Sequence, residues 1–333
     1  MKVAVVGLGY WGPNIVRNLH SLDACTQVVA CDLDEVRVKA VLRQYPSATG
    51  TTDIDEVLGD GDVGAVVLAT PVRTHSELAE AALRAGKSVL VEKPLATSVP
   101  DARKLVGLAD ELGLLVMAAH TFLYSPPVLT VRDVLAREEI GRLLYLQASR
   151  VNLGIHQSDV SVLWDLAPHD VSILLEWLGE EPCRVSASGR SSLSLGPPDV
   201  AFVDVEFPSG FVANLHLSWL APTKMRRMTI VGSRKMIVYE DTHPDEPVKI
   251  YDKGVKPPDP EDFGEYRLTY RTGDVVSPRV EASEPLRNQL ADFLGRVTRG
   301  ERPDDREEAA VQVVRVVEGA ERSLAAHGAP VEL

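Results

Sequence analysis

The sequence predicts two successive folds. The first is a doubly wound parallel α/β domain over residues 1–122; the second is an α+β domain over 123–333 with a large, mostly antiparallel, open-faced sheet. Three observations carry this. Up to about residue 120, short apolar runs alternate with helical patterns, as parallel strands joined by right-handed crossovers require. A glycine-rich turn, Gly7-Leu8-Gly9-Tyr10-Trp11-Gly12, separates the first run from the first helix. Beyond residue 122 the apolar period changes from helical spacing to two, the spacing of strands with one buried face.

In order, Lys2–Val6 is too short for a helix and reads as a buried parallel strand. A helix follows through Leu19, then a strand, Gln27–Cys31, that ends in Asp32. Helical patterns occupy Glu35–Gln44, Thr52–Leu58 (short and capped), Thr74–Ala85 and Ser98–Leu112, with Gly86 and Gly113 as stops. Strands at Gly64–Ala69, Lys87–Val91 and Leu114–Ala118 complete the alternation. Pro126-Pro127 opens a further helix, Val128–Arg137. Period-two strands then run over Leu143–Arg150, Arg184–Gly189, Val200–Phe207, Phe211–Trp219, Arg226–Val231 and Lys235–Tyr239, with hairpin turns at Pro208-Ser209-Gly210 and Gly232-Ser233-Arg234. Ala201, Val203, Val205 and Phe207 make one apolar face, with Asp204 and Glu206 opposite; Asn214, His216 and Ser218 continue that polar face on the next strand. The Pro- and acid-rich stretch 244–265 reads as an excursion, and helices at Glu284–Arg299 and Arg306–Ala326 end the chain.

Composition narrows the function classes. At 333 residues the chain can bury two cores, and 45% hydrophobic with 25% charged residues is ordinary for a globular protein. A net charge of −13 argues against nucleic acid, since no basic excess exists to neutralise phosphates. Cys25, Cys31 and Cys183 are too few and too scattered for a disulfide frame or a metal cage, and no spacing links His75, His120 and His156 as ligands, so no metal is expected. No apolar run approaches membrane-spanning length and the N-terminus runs straight into a strand without a signal peptide, so no membrane association and a cytoplasmic location are expected.

The glycine turn lies in the context that gives it meaning: strand, G-x-G-x-x-G, helix, strand, terminal acid. Gly7 allows the tight turn, Gly9 lets the backbone approach a pyrophosphate, and Gly12 lets the helix pack close, while the helix N-terminus offers free N–H groups to phosphate. Tyr10 and Trp11 ride on the same turn. Asp32, twenty residues after Gly12, is placed to accept from the adenosine ribose hydroxyls. A carboxylate there would repel a 2′-phosphate, so NAD is expected over NADP. Ligands of such sheets bind beyond the strand carboxyl ends, which singles out Thr70, Pro71, His75, Glu92, Lys93, His120 and Tyr124.

Two further segments can carry chemistry. Glu92-Lys93-Pro94 directly follows a strand; it is either a surface turn or a lysine projecting to where a nicotinamide would lie. In Trp164-Asp165-Leu166-Ala167-Pro168-His169-Asp170, Asp165 and His169 stand at i and i+4 on one helix face. Pro168 is tolerated only near a first turn, which would put both residues at the positive end of the helix dipole and keep the imidazole neutral.

Together, GLGYWG, the EKP at 92–94, the D-x-x-x-H-D at 165–170 and the antiparallel second half resemble the glucose–fructose oxidoreductase/inositol dehydrogenase (Gfo/Idh/MocA) family, over nearly the whole chain. The resemblance implies an NAD(P)-dependent sugar dehydrogenase with a Rossmann domain. In it Lys93 would hydrogen-bond the reacting hydroxyl, His169 would be the general base, Asp165 would position that hydroxyl, and the Lys93–Pro94 bond would be cis. Substrate contacts are expected from His120, Tyr124, Arg150, Asn152, His156, Asp165 and His169. The segment VNLGIHQSDVSVLWDLAPHD is similar to the branch that oxidises C3 of UDP-linked amino sugars or their uronic acids. Runners-up are inositol or another cyclitol, and reduction of a 3-keto deoxysugar nucleotide. A reading of another class is a non-catalytic NAD(P)-binding regulator or sensor, against which the presence of Lys93, Asp165 and His169 stands. The basic residues Lys224, Arg226, Arg227, Arg234 and Lys235 are either a solvated face or a seat for an anion. The open sheet face predicts a homodimer or homotetramer.

Overall fold

The structure, a computed structural model, describes residues 1–154, 160–193, 196–256 and 269–333. The chain divides into two units, residues 1–124 with 283–318 and residues 125–282 with 319–333.

The first unit begins β1 (Lys2–Val6), α1 (Gly12–His20), β2 (Gln27–Cys31), α2 (Glu35–Gln44), β3 (Thr49–Thr51), α3 (Ile54–Gly59) and β4 (Val63–Leu68). It continues α4 (His75–Arg84), β5 (Ser88–Glu92), α5 (Val99–Leu112) and β6 (Val116–Ala119). The strands pair in the order β3-β2-β1-β4-β5-β6, and every pairing is parallel. Buried on both faces, β1, β2, β4 and β5 are near-continuous apolar runs. Side chains set the helix ends: Asp34 accepts from Val36 N–H at 2.9 Å, Ser98 accepts from Asp101 N–H at 3.2 Å, and Gly113 closes α5 in the left-handed region at φ 67°.

The second unit comprises α6 (Pro126–Ala136), β7 (Leu143–Leu153), α7 (Val162–Leu178), β8 (Arg184–Arg190), β9 (Val200–Glu206) and β10 (Val212–Ser218). It continues β11 (Leu220–Gly232), β12 (Met236–Glu240), β13 (Val248–Lys256) and β14 (Thr269–Val276). After α8 (Pro285–Thr298) and α9 (Asp305–Ala325), β15 (Val331–Glu332) returns to its sheet. Among the described residues the order is β14-β13-β12-β11-β7-β10-β9-β8-β15, antiparallel except for the parallel β10–β7 pair. One face of this sheet is buried through Ala201, Val203, Val205, Ala213, Leu215 and Leu217, with α7 lying against β7, β9 and β10. The opposite face is open. It carries Tyr145, Phe202 and Val212, and the ring of Phe202 stacks on His216 at 4.6 Å between centroids.

Three expectations are corrected. The boundary at 122/123 gives the whole C-terminal half to the second domain, but residues 283–318 belong to the first unit. The cause is α8, whose Leu286, Leu290, Phe293 and Leu294 lie at helical spacing and enter the same buried cluster as Val3, Val5, Ile15 and Leu115. The stretch 244–265 is not all excursion: β13 pairs with β12 and buries Val248 and Ile250, while residues 257–268 lie outside the described residues. Pro168 is not in the first turn but inside α7, its seventh residue.

Candidate functional site

In the first unit, the glycine turn, Asp32 and the loops after β4, β5 and β6 lie at the carboxyl ends of the parallel strands. The glycine turn is shaped by backbone sterics. Gly7 has φ +92°, and a Cβ there would sit 2.5 Å from the Ala69 carbonyl oxygen. A Cβ on Gly12 would lie 2.2 Å from the Gly7 carbonyl oxygen, so helix and turn close on each other. Gly9 differs: the nearest atom to its Cβ would be Arg37 Nη1 at 3.8 Å, leaving its space open for a ligand. Tyr10 and Trp11 stand exposed on this turn as an edge-to-face pair, 5.4 Å between centroids.

Asp32 braces the turn from β2. Its Oδ2 accepts from Leu8 N–H at 2.6 Å and its Oδ1 from Asp34 N–H at 2.9 Å. Each oxygen keeps a further lone pair for a ribose hydroxyl. Arg37 lies 3.6 Å from Oδ2, and the apolar Leu33 and Val36 beside it are 94% and 69% exposed. Sequence reasoning passed over these last three, since their exposure is a property of the fold.

The loops after β4 and β5 are tied together. Thr74 Oγ1 donates at 2.7 Å to the Pro71 carbonyl and lies 2.8 Å from Thr70 Oγ1. His75 is buried, with Nδ1 2.9 Å from the Pro94 carbonyl oxygen and Nε2 2.9 Å from that of Thr70. Its expected contact with a cofactor is thus replaced by contacts to backbone. Burial, opposed by those two carbonyls and reinforced by the Lys93 charge, lowers its pKa. The Lys93–Pro94 bond is cis, as the resemblance implied. Burial pushes the Glu92 carboxyl up to about 7, against the pull of the Lys93 charge and of the Lys93 N–H that it accepts at 3.3 Å. His120, buried at the end of β6, is held neutral with a pKa of about 4 by burial and then by Lys93. Neither of its ring nitrogens has a partner among the described residues. Tyr124 points elsewhere: its hydroxyl donates to Asp292 of α8 at 2.7 Å, and burial with that carboxylate raises its pKa well above the phenol range.

In the second unit the chemistry gathers on the first half of α7. That half is buried except for a half-buried stripe of Asp165, Leu166 and His169. Asp165 lies in the first turn, where the helix dipole favours its charge. His169, the eighth residue of α7, lies a turn further along, beyond the reach of the dipole. The indole Nε1–H of Trp219, a fully buried residue absent from the sequence-based site, donates to Asp165 Oδ2 at 3.1 Å. Gly154 leaves room for that indole, since a Cβ there would meet Trp219 Cδ1 at 2.7 Å. Arg150, expected to touch substrate, is 4% exposed and donates from Nε and Nη2 to Asp170 Oδ1 at 2.9 and 2.7 Å. It anchors α7 to β7 immediately beside His169. Asn152 is half-buried on β7, and His156 lies outside the described residues. No cluster of three or more His, Cys, Asp or Glu suited to a metal occurs among the described residues, and none of their helices is long and apolar enough to cross a membrane.

Comparison with known proteins agrees with this geometry. Residues 1–120 match the oxidoreductase family with an NAD-binding Rossmann fold of the Gfo/Idh/MocA type, and residues 128–238 match the C-terminal domain of that family. The chain is 30% identical to a UDP-N-acetylglucosamine 3-dehydrogenase of Acidithiobacillus ferrooxidans over 69% of this chain and 71% of that protein. It is 32% identical to inositol 2-dehydrogenase 2 of Saccharopolyspora erythraea, over 62% of each chain. The crystal structure of GenD2 from gentamicin A biosynthesis, in complex with NAD, superposes with a TM-score of 0.82 at 26% identity, covering 100% of this chain and 96% of that one. The glycine turn, the open space at Gly9 and the carboxylate of Asp32 fit the dinucleotide these matches imply. The chain belongs to the Gfo/Idh/MocA family of NAD-binding oxidoreductases.

Proposed function

We propose that the protein oxidises a secondary hydroxyl of a sugar, namely C3 of a UDP-linked N-acetylhexosamine or its uronic acid. The observation that carries the reading is Lys93, at the carboxyl end of β5 on the cofactor side of an NAD-binding sheet. NAD, when bound, supplies the acceptor for the hydride leaving the carbinol carbon. The turn from Gly7 to Gly12 would hold its pyrophosphate with Tyr10 and Trp11 alongside, Asp32 its adenosine ribose, and Thr70, Pro71, Glu92 and Lys93 its nicotinamide half. Lys93 donates a hydrogen bond to the reacting oxygen and offsets the negative charge that develops there. His169 takes the hydroxyl proton, and Asp165, steadied by Trp219, orients that hydroxyl. Likeness to the UDP-N-acetylglucosamine 3-dehydrogenase supports the nucleotide-sugar substrate; likeness to the inositol dehydrogenase supports a cyclitol as the second reading. The open sheet face of the second unit supports pairing with another copy of the chain.

The test is a panel of UDP-sugars and cyclitols with NAD, followed at 340 nm. Turnover of a UDP-N-acetylhexosamine or its uronic acid is expected. Silence across the panel with tight NADH binding would instead make the protein a sensor. Lys93→Met and His169→Ala are each expected to lose at least 100-fold in kcat while keeping NADH affinity within a few-fold. Near-wild-type kcat in either variant refutes that residue's role.

A further inference from the structure

His75 is the first residue of α4 and only 1% exposed, yet it carries two polar nitrogens. Each of them faces a backbone carbonyl oxygen at 2.9 Å. A carbonyl oxygen can only accept and a neutral imidazole carries one N–H, so the ring donates to one of the two carbonyls and is packed against the other. The two carbonyls belong to different loops. That of Thr70 follows β4; that of Pro94 follows β5 and stands one residue after Lys93. Parallel pairing of Leu68 with Val91 starts these loops side by side, but no strand ladder continues beyond the sheet edge to hold them in register. The imidazole takes over where the ladder stops. Thr74, one residue earlier, fixes the far side of the Thr70 loop through its hydroxyl. Both nitrogens of the buried ring face backbone carbonyls, so neither is turned toward a nucleotide.

We propose that His75 is a positioning residue, a clamp between the loops after β4 and β5 that sets where the Lys93 ammonium stands. The functional weight of the clamp rests on the role proposed for Lys93. Phenylalanine fills the ring volume without a donor, and glutamine keeps one N–H donor but on a flexible chain in place of the rigid ring.

The test reads the lysine directly and needs no substrate. Full-length wild type, His75→Phe and His75→Gln are labelled with trace acetic anhydride. The rate at Lys93 is normalised to that at Lys39, which lies exposed on α2. The Lys93:Lys39 ratio is expected to change at least threefold in the phenylalanine variant and by a smaller but measurable factor in the glutamine variant. NADH affinity by fluorescence titration should stay within threefold of wild type in both. An unchanged ratio in the phenylalanine variant overturns the clamp. So does a tenfold loss of NADH affinity with an unchanged ratio, which would make His75 a cofactor ligand. Should the phenylalanine variant fail to fold, the glutamine variant decides, and a wild-type ratio there overturns the proposal. Lys93→Met judges the chemistry separately: full turnover in that variant would sink the role of Lys93 and leave the labelling result standing.

Discussion

A carboxyl that resists ionisation sits one residue before the lysine. Glu92 titrates near pH 7 in the folded chain, whereas the ordinary value for a glutamate is about 4.5. Between those values the native state holds a proton that the unfolded chain has released, so stability falls as pH rises from about 4.5 through 7. Below that window both states are protonated and the contribution is whole. Glu92→Gln cannot ionise, and it should therefore gain on wild type by an amount on the order of 3 kcal/mol at pH 8 and by little at pH 4.5. Urea unfolding at the two pH values measures this; parallel pH profiles would show that the Glu92 carboxyl is ionised in the native state. At this scale the sequence was most readable where residue type alone limits the chemistry. Gly7 and Gly12 make the tight turn and the close helix packing their spacing suggested, and Asp32 braces that turn. It was least readable where a partner lies far along the chain. Arg150 meets Asp170 twenty residues on, and Tyr124 meets Asp292 168 residues on, so neither could be told from a ligand contact beforehand.

Among elements, the glycine turn separates folding from binding within six residues. Gly7 and Gly12 are glycines because backbone oxygens occupy the Cβ positions, at 2.5 and 2.2 Å. Gly9 has nothing nearer than 3.8 Å, so the fold itself does not require a glycine there. Gly12→Ala should therefore lower the unfolding midpoint, with a loss of about 2 kcal/mol or more. Gly9→Ala should unfold like wild type but bind NADH at least tenfold more weakly in a fluorescence titration. Wild-type affinity in Gly9→Ala would mean that the dinucleotide does not cross this glycine. Most elements were legible because period two and period 3.6 are different signals, and β1, β4, β9 and β10 show one or the other cleanly. β3 escaped because three partly exposed residues, Thr49-Gly50-Thr51, have no apolar period at all. β13 escaped because the acids and prolines around it resemble a loop, while its pairing with β12 is a property of the sheet. Pro168 was misread because proline position is a preference, and α7 accommodates it in its interior.

For the whole molecule, the open face of the second sheet is the surface that a second copy would cover. Tyr145, Phe202 and Val212 on that face are 49%, 44% and 40% exposed. The double variant Tyr145→Asp/Phe202→Asp should shift sedimentation velocity toward the monomer with an unchanged far-UV spectrum. An unchanged mass would place self-association elsewhere. The return of α8 to the first unit bears on how the protein is made. Leu290, Phe293 and Leu294 complete the core around Val3 and Val5, so the half begun first is not finished until the chain is nearly whole. On the ribosome, the β1 to β6 sheet must wait with part of its apolar surface uncovered until nearly 300 residues have emerged. A nascent chain arrested before α8 should therefore engage holding chaperones more strongly than one released a few turns later.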